Sequence, residues 1–213
     1  MGLDVSAWYD AFARREVRGQ SPTYERLARA VAADLHVLAL LDQLPEPKRQ
    51  PNLFFAAARH LGAPLADPAG FLAWVAEHWE GVAQTMRDRR TQTNEVGRCA
   101  TLLPVLAGLP QPLALLEVGC SAGLCLYPDA YRYRYGDHLV GSPTSAVELA
   151  CQPSGPVPLP ERLPNVVWRA GLDLNPLDVR DDDDLRWLEA LVWPEQSGRL
   201  ARLWAAAGIA RRD

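Results

Sequence analysis

Leu113-Ala114-Leu115-Leu116-Glu117-Val118-Gly119-Cys120-Ser121-Ala122-Gly123-Leu124 is the stretch on which the fold turns. Leu113 to Val118 is a short apolar run bounded by turn residues, which predicts a buried strand. It ends in an acidic residue and runs into a loop of small residues. Glycine lets a backbone turn sharply and approach a ligand closely, because no Cβ intervenes. In open α/β sheets, ligands bind at the carboxyl ends of parallel strands, where such a loop lies.

The loop resembles the first motif of S-adenosylmethionine-dependent methyltransferases, an acidic residue followed by G-x-G-x-G, with Ser121 in place of the middle glycine. That resemblance implies cofactor contact by Glu117, Gly119, Cys120, Ser121, Ala122 and Gly123. It also implies a second acidic residue for the ribose hydroxyls, and Asp137, just past the next predicted strand, is the candidate. The same five loop residues fit G-x-S-x-G, the nucleophile elbow of α/β-hydrolases, with Ser121 as nucleophile. His138 is the one histidine that follows, 17 residues on, which leaves little room for the intervening elements of that fold. A turn without a ligand is the plain alternative to both.

Upstream, residues 1–110 read as helices. Leu27, Val31, Leu35, Leu38 and Leu41 recur at spacings of three and four, with Ser21 as N-cap and Pro22 at the first helical position. Asp67-Pro68 repeats that start signal before Phe71, Val75, His78, Val82 and Met86. Shorter helices are predicted at 4–17, 52–61 and 94–108. The polar stretch Thr91 to Glu95 has two readings. Thr93 or Asn94 caps the next helix, or the segment reaches over a cofactor or substrate, with Asn94, Glu95 and Arg98 as contacts.

Downstream, Tyr131 to Tyr135 alternates tyrosine with Arg132 and Arg134, which predicts a strand buried on its tyrosines. Its arginines face solvent or hold an anion. Residues 152–165 carry five prolines and should be irregular. Val166 to Ala170 is a third strand, and helices follow at about 184–192 and 196–210. The aspartates 181–184 sit where a helix N-terminus favours negative charge. Only a dozen residues, interrupted by Pro128, separate the first two strands. A parallel crossover usually needs that many in helix alone.

Several segments together resemble the bacterial family known as domain of unknown function 2332. They are Arg90 to Arg98, the Glu117–Leu124 loop, Tyr131 to Gly136, Gly171-Leu-Asp-Leu-Asn-Pro176 and Trp187-Leu-Glu-Ala-Leu-Val-Trp-Pro194. The resemblance implies an α/β chain: a helical part, residues 1–110, followed by a partial Rossmann-like, methyltransferase-like three-layer unit, residues 111–213. It also implies a C-terminally short chain, since members are typically longer. An incomplete sheet leaves an unpaired edge, so a homodimer through that edge is expected. A non-catalytic partner-binding or remnant domain is the alternative to a methyltransferase.

Composition narrows the partners. The 213 residues are 48% hydrophobic and 23% charged, ordinary for a globular chain and unlike a disordered or disulfide-scaffold one. Residues 1–112 carry twelve charges of each sign, so the net charge of −4 lies wholly in the second half. That distribution offers no broad basic face for nucleic acid. Prolines and Gly108 break the uncharged run from Cys99 to Leu116, so no membrane span is expected. Cys99, Cys120, Cys125 and Cys151 show no C-x-x-C spacing, and no His/Asp/Glu trio has metal-ligand spacing. With no secretory signal at the N-terminus, a cytoplasmic location follows.

Overall fold

A computed structural model describes residues 4–212 and resolves them into two compact units. The first comprises residues 4–92 and 186–197, and the second residues 93–185 and 198–212. Neither is continuous in sequence.

The first unit is helical. Helices α1 (Val5–Arg15), α2 (Pro22–Ala33), α3 (Leu35–Leu41), α4 (Pro51–His60), α5 (Pro68–Glu77) and α6 (Trp79–Asp88) build it. Capping follows the sequence: Ser21 Oγ accepts from Tyr24 N–H at 3.2 Å, and Asp67 Oδ2 from Gly70 N–H at 2.7 Å. Each long apolar stripe is nevertheless two helices. Asp34 leaves helical geometry and caps α3 through Val37 N–H, at 2.8 Å. At His78 the ring stacks on Trp74, with centroids 4.2 Å apart, and the chain restarts as α6. At the first break the expected stripe fails: Leu35 is 84% exposed, and α3 buries Val37 and Leu41 instead, whereas beyond the exposed His78 the buried residues Trp79, Val82 and Met86 carry the second stripe on.

An aromatic core of Tyr9, Phe12, Tyr24, Phe54, Phe55 and Phe71 fills the unit, with Tyr24 and Phe55 stacked at 4.8 Å. Residues 186–197 close it. Trp193 meets Phe12 edge-on at 6.4 Å and donates from Nε1 to Asn52 Oδ1 at 2.9 Å. Trp187 donates to Arg90 O at 3.1 Å, and Arg59 donates to Val192 O. Glu195 accepts from Ser21 Oγ and from Thr23 N–H, the latter at 2.9 Å.

The second unit holds α7 (Arg98–Gly108), β1 (Leu113–Val118), β2 (Arg132–Tyr135), β3 (His138–Val140), β4 (Glu148–Ala150), β5 (Val166–Leu172) and α9 (Ser197–Ala210). Helix α8 (Asp182–Ala190) straddles the boundary. Thus α7, expected with the helical part, belongs with the strands. Its carbonyl at Ala100 accepts from the buried Tyr135 hydroxyl.

The strands form two sheets. β1 and β5 pair in parallel, with Glu117 opposite Gly171 and Val118 opposite Leu172. β2 lies between β3, antiparallel, and β4, parallel. This small sheet occupies the β1–β5 connection where a Rossmann crossover carries an α-helix. The expected three-layer unit is therefore, among the described residues, a mixed α/β arrangement around a two-stranded parallel sheet. The tyrosines of β2 point inward as expected, and Tyr133 donates to Pro128 O at 2.7 Å. Arg132 and Arg134 reach across to Glu148, at 3.6 and 2.8 Å.

The parallel pair is buried on one face only. Leu115, Glu117 and Arg169 lie on the inner side, where Arg169 forks onto both Asp129 oxygens at 3.0 Å. Ala114, Leu116 and Val118 share the outer face with Trp168, Ala170 and Leu172, and Val118 is 79% exposed.

Two tests follow. A Cβ at Gly171 would stand 2.4 Å from Cys120 Sγ and 2.9 Å from its Cβ. Gly171→Ala should therefore cost about 1–3 kcal/mol, as overpacking does, and adding Cys120→Gly should restore most of the melting temperature. Burial works to raise the Glu195 carboxyl, but hydrogen bonds from Ser21 and Thr23 outweigh it and hold it below the usual range. Its stabilisation is present above the ordinary glutamate value and fades as pH falls through the folded one. Ser21→Ala should cost about 1–2 kcal/mol at pH 7 and distinctly less at pH 3.5, measured by thermal melts.

Candidate functional site

The glycine loop lies where the parallel strands end. Gly119, Ser121 and Gly123 all take positive φ, at 79°, 53° and 69°. Glycine adopts that region freely; serine does so only when its surroundings hold it. Here the hold is visible. Ser121 N–H donates to Asp173 Oδ2 at 2.7 Å, and Asn94 Nδ2 donates to Ser121 Oγ. The carbonyl of Ser121 accepts from Leu177 N–H at 3.2 Å, and the side chain is 4% exposed.

Asn94 makes a second bond to the same loop, its Oδ1 accepting from Ala122 N–H at 3.2 Å. It does not cap α7: the N-cap is Gly97, without a side-chain bond. The capping expectation for Asn94 is thus overturned, and the segment does reach the loop. Glu95 is held by α9, its carboxylate accepting from Arg202 at 3.1 and 3.2 Å and pairing with Arg199 at 3.1 Å. Arg98, in the first turn of α7, lends its positive charge to Glu117.

Glu117 and Asp173 bring two carboxylates to the ends of paired strands. Asp173 follows β5 directly and also accepts Asn175 N–H at 2.8 Å. Glu117 keeps Oε2 buried with no hydrogen-bond partner among the described residues. Burial raises its carboxyl above the ordinary value; Arg98 offsets part of the rise and Asp173 adds to it. Burial likewise raises the Cys120 thiol, and the charges of Glu117 and Asp173 add to that.

Asp137 is placed elsewhere, in the exposed turn that joins β2 to β3. Asp173 is the acidic residue beside the loop. Sequence reading gives it only as a loop residue near a strand end, because β5 is expected to end at Ala170. The strand runs on to Leu172, so Asp173 stands at its carboxyl end rather than in a detached loop.

Two further features escaped the sequence. The Cys99 and Cys125 side chains lie within hydrogen-bonding reach, which holds Cys125 below the ordinary thiol value and Cys99 above it. His138, the candidate base for an elbow serine, bonds through Nε2 to Pro160 O at 2.8 Å, while Ser121 Oγ is engaged by Asn94. No histidine hydrogen-bonds Ser121 among the described residues.

The two loop N–H groups at Ser121 and Ala122 are already satisfied by side chains of the unit itself. A loop of this kind cannot cradle a phosphate as free backbone donors do. What it offers a ligand is negative charge and acceptor oxygens.

No helix among the described residues is long and apolar enough to cross a membrane. No curated protein and no solved structure matches the chain. Residues 6–213 match the family described as "uncharacterized protein conserved in bacteria (DUF2332)". With nearly its whole length matched, the chain belongs to that uncharacterised bacterial family, domain of unknown function 2332.

Proposed function

We propose that the carboxyl ends of β1 and β5 bind S-adenosylmethionine and that the chain is methyltransferase-like. The observation that carries this reading is the buried Glu117 Oε2, unpartnered beside Asp173 at the end of a parallel strand pair. A buried carboxylate oxygen without a donor is costly, and a ligand that brings donors or positive charge relieves it. S-adenosylmethionine brings both, in its ammonium, its sulfonium and its ribose hydroxyls, and it carries no phosphate. That matches a loop whose own N–H groups are spoken for.

In this reading Glu117 and Asp173 take the donors of the cofactor, and Asp173 fills the place first assigned to Asp137. Gly119 to Gly123 lie against the cofactor, with Cys120, Ser121 and Ala122 presenting backbone more than side chain. Asn94 keeps the loop in its strained form. The bound cofactor supplies an electrophilic methyl group, and the protein's contribution is to align an acceptor with it. No side chain is assigned as base or nucleophile.

Calorimetry on the purified chain tests the reading. Both S-adenosylmethionine and S-adenosylhomocysteine should bind, and absence of heat at millimolar ligand with folded protein overturns it. Glu117→Gln separates binding from folding. Because the folded Glu117 value is raised, stability falls as pH rises through the window between the ordinary and folded values. The glutamine variant escapes that loss, so its melting temperature relative to the wild type should rise as pH increases from 4 towards 8. It should nevertheless bind the cofactor roughly tenfold more weakly, for loss of a charged acceptor. Wild-type affinity should rise with pH as Glu117, whose carboxyl is raised above its ordinary value, ionises.

A non-catalytic reading, self-association through the parallel sheet, is favoured by the exposed outer face of Leu116, Val118, Trp168 and Leu172. Purely parallel sheets normally have both faces covered. Sedimentation velocity separates the two readings. A dimer that Val118→Lys dissociates supports self-association, and a monomer at high concentration rules it out.

A further inference from the structure

A polar cavity lies in the first unit, apart from the glycine loop. It has a volume of about 320 Å³ and is lined by Pro47, Lys48, Gln50, Arg89, Arg90 and Thr91, over Leu53. Lys48 is the single lysine in the chain, against 21 arginines. Three cationic side chains gather around one cavity in a unit whose acidic and basic residues nearly balance.

Two acids of this unit have partners of their own. Asp42 pairs with Arg49 at 2.8 Å, and both Asp88 oxygens accept from Gln84 Nε2 at 2.9 Å. Neither Lys48 nor Arg90 has an ion-pair partner within 4 Å among the described residues. Burial lowers the Lys48 ammonium below its ordinary value, the neighbouring charge of Arg90 adds to that, and Asp88 only partly opposes it.

The cavity is also built rather than fortuitous. Lys48 Nζ donates to Arg89 O at 2.8 Å, and Trp187 Nε1 holds Arg90 O at 3.1 Å, so the backbone carrying both arginines is pinned. The Arg89 guanidinium lies 5.9 Å from the Trp187 ring centroid, within cation–π range. Gln50 donates to Pro47 O at 2.8 Å and accepts from Thr91 Oγ1 at 3.3 Å. Helix α4 starts directly after Gln50 with no side-chain cap and with Pro51, which has no N–H, at its first position, so Asn52 and Leu53 carry the first N–H groups at the positive end of its dipole.

We propose that this cavity binds a phosphate group, free or as the monoester of a small molecule. Lys48 and Arg90 neutralise its charge, and the start of α4 supplies backbone donors. A compact dianion answers two unpaired cations and a helix terminus better than a carboxylate does. The volume exceeds what a bare ion needs, which leaves room for the organic part of an ester. The proposal rests on none of the observations made at the glycine loop.

Calorimetry at low ionic strength on the full chain tests it, with glycerol phosphate, inorganic phosphate and acetate as probes. At least one phosphate probe should bind with a Kd of about 1 mM or tighter, and acetate should not. Tighter binding of glycerol phosphate identifies the monoester, and equal or tighter binding of inorganic phosphate identifies the free ion. Arg90→Gln and Lys48→Gln should each weaken binding roughly tenfold. Arg26→Gln, an exposed arginine on α2, should leave it unchanged. The proposal is overturned if neither phosphate probe binds below about 10 mM, if acetate binds equally well, or if the Arg26 variant loses as much as the Arg90 variant.

Discussion

The carboxylate of Asp173 ties together three parts of the second unit. One oxygen takes the N–H of Ser121 and the other takes that of Asn175, while the residue itself ends β5. Ser121 sits at φ 53°, in a region a serine enters at a cost, and the carboxylate helps hold it there. Asn94 completes the hold from the opposite direction. The loop's shape, the closeness of Glu117 to Asp173 and the packing of Cys120 on Gly171 all depend on this clasp. A charged acceptor fixing a strained turn gives a site whose geometry is set before any ligand arrives.

That arrangement was partly legible in the sequence. The strand at Leu113–Val118, the loop after it and the inward tyrosines of β2 follow from alternation and glycine content. So do the N-caps at Ser21 and Asp67, because capping is local chemistry. Asn94 and Asp173 were not assigned to the loop, because their partners lie 27 and 52 residues away and no local pattern marks them. Asp137 drew attention on sequence proximity alone. The small sheet of β2, β3 and β4 was half visible, since three-residue strands such as β3 and β4 carry too little pattern to stand out. The helix breaks at Asp34 and His78 were hidden for the opposite reason: the apolar period continues across them.

The two sets of polar residues in the chain carry opposite charge. Beside the loop, Glu117 leaves an acceptor oxygen without a hydrogen-bond partner among the described residues, next to the charge of Asp173. In the first unit, Lys48, Arg89 and Arg90 gather around a cavity at a helix start. The net charge of the whole chain conceals both, because each is local and each is shielded by pairs such as Glu95 with Arg202 or Asp42 with Arg49. Local charge and the fate of each hydrogen bond say more about ligands here than the total does.

The return of residues 186–197 to the first unit also bears on how the chain is made. Trp187, Trp193 and Glu195 supply the indole donors and the carboxylate that finish the helical core. A ribosome delivers them only after the whole stretch from Thr93 to Leu185 has emerged. Until then the aromatic cluster around Tyr9, Phe12 and Phe55 lacks part of its cover, and exposed apolar surface of this kind invites aggregation. The helical unit, first to be synthesised, is thus among the last to be completed. The strands that interrupt it have a head start in finding their own partners.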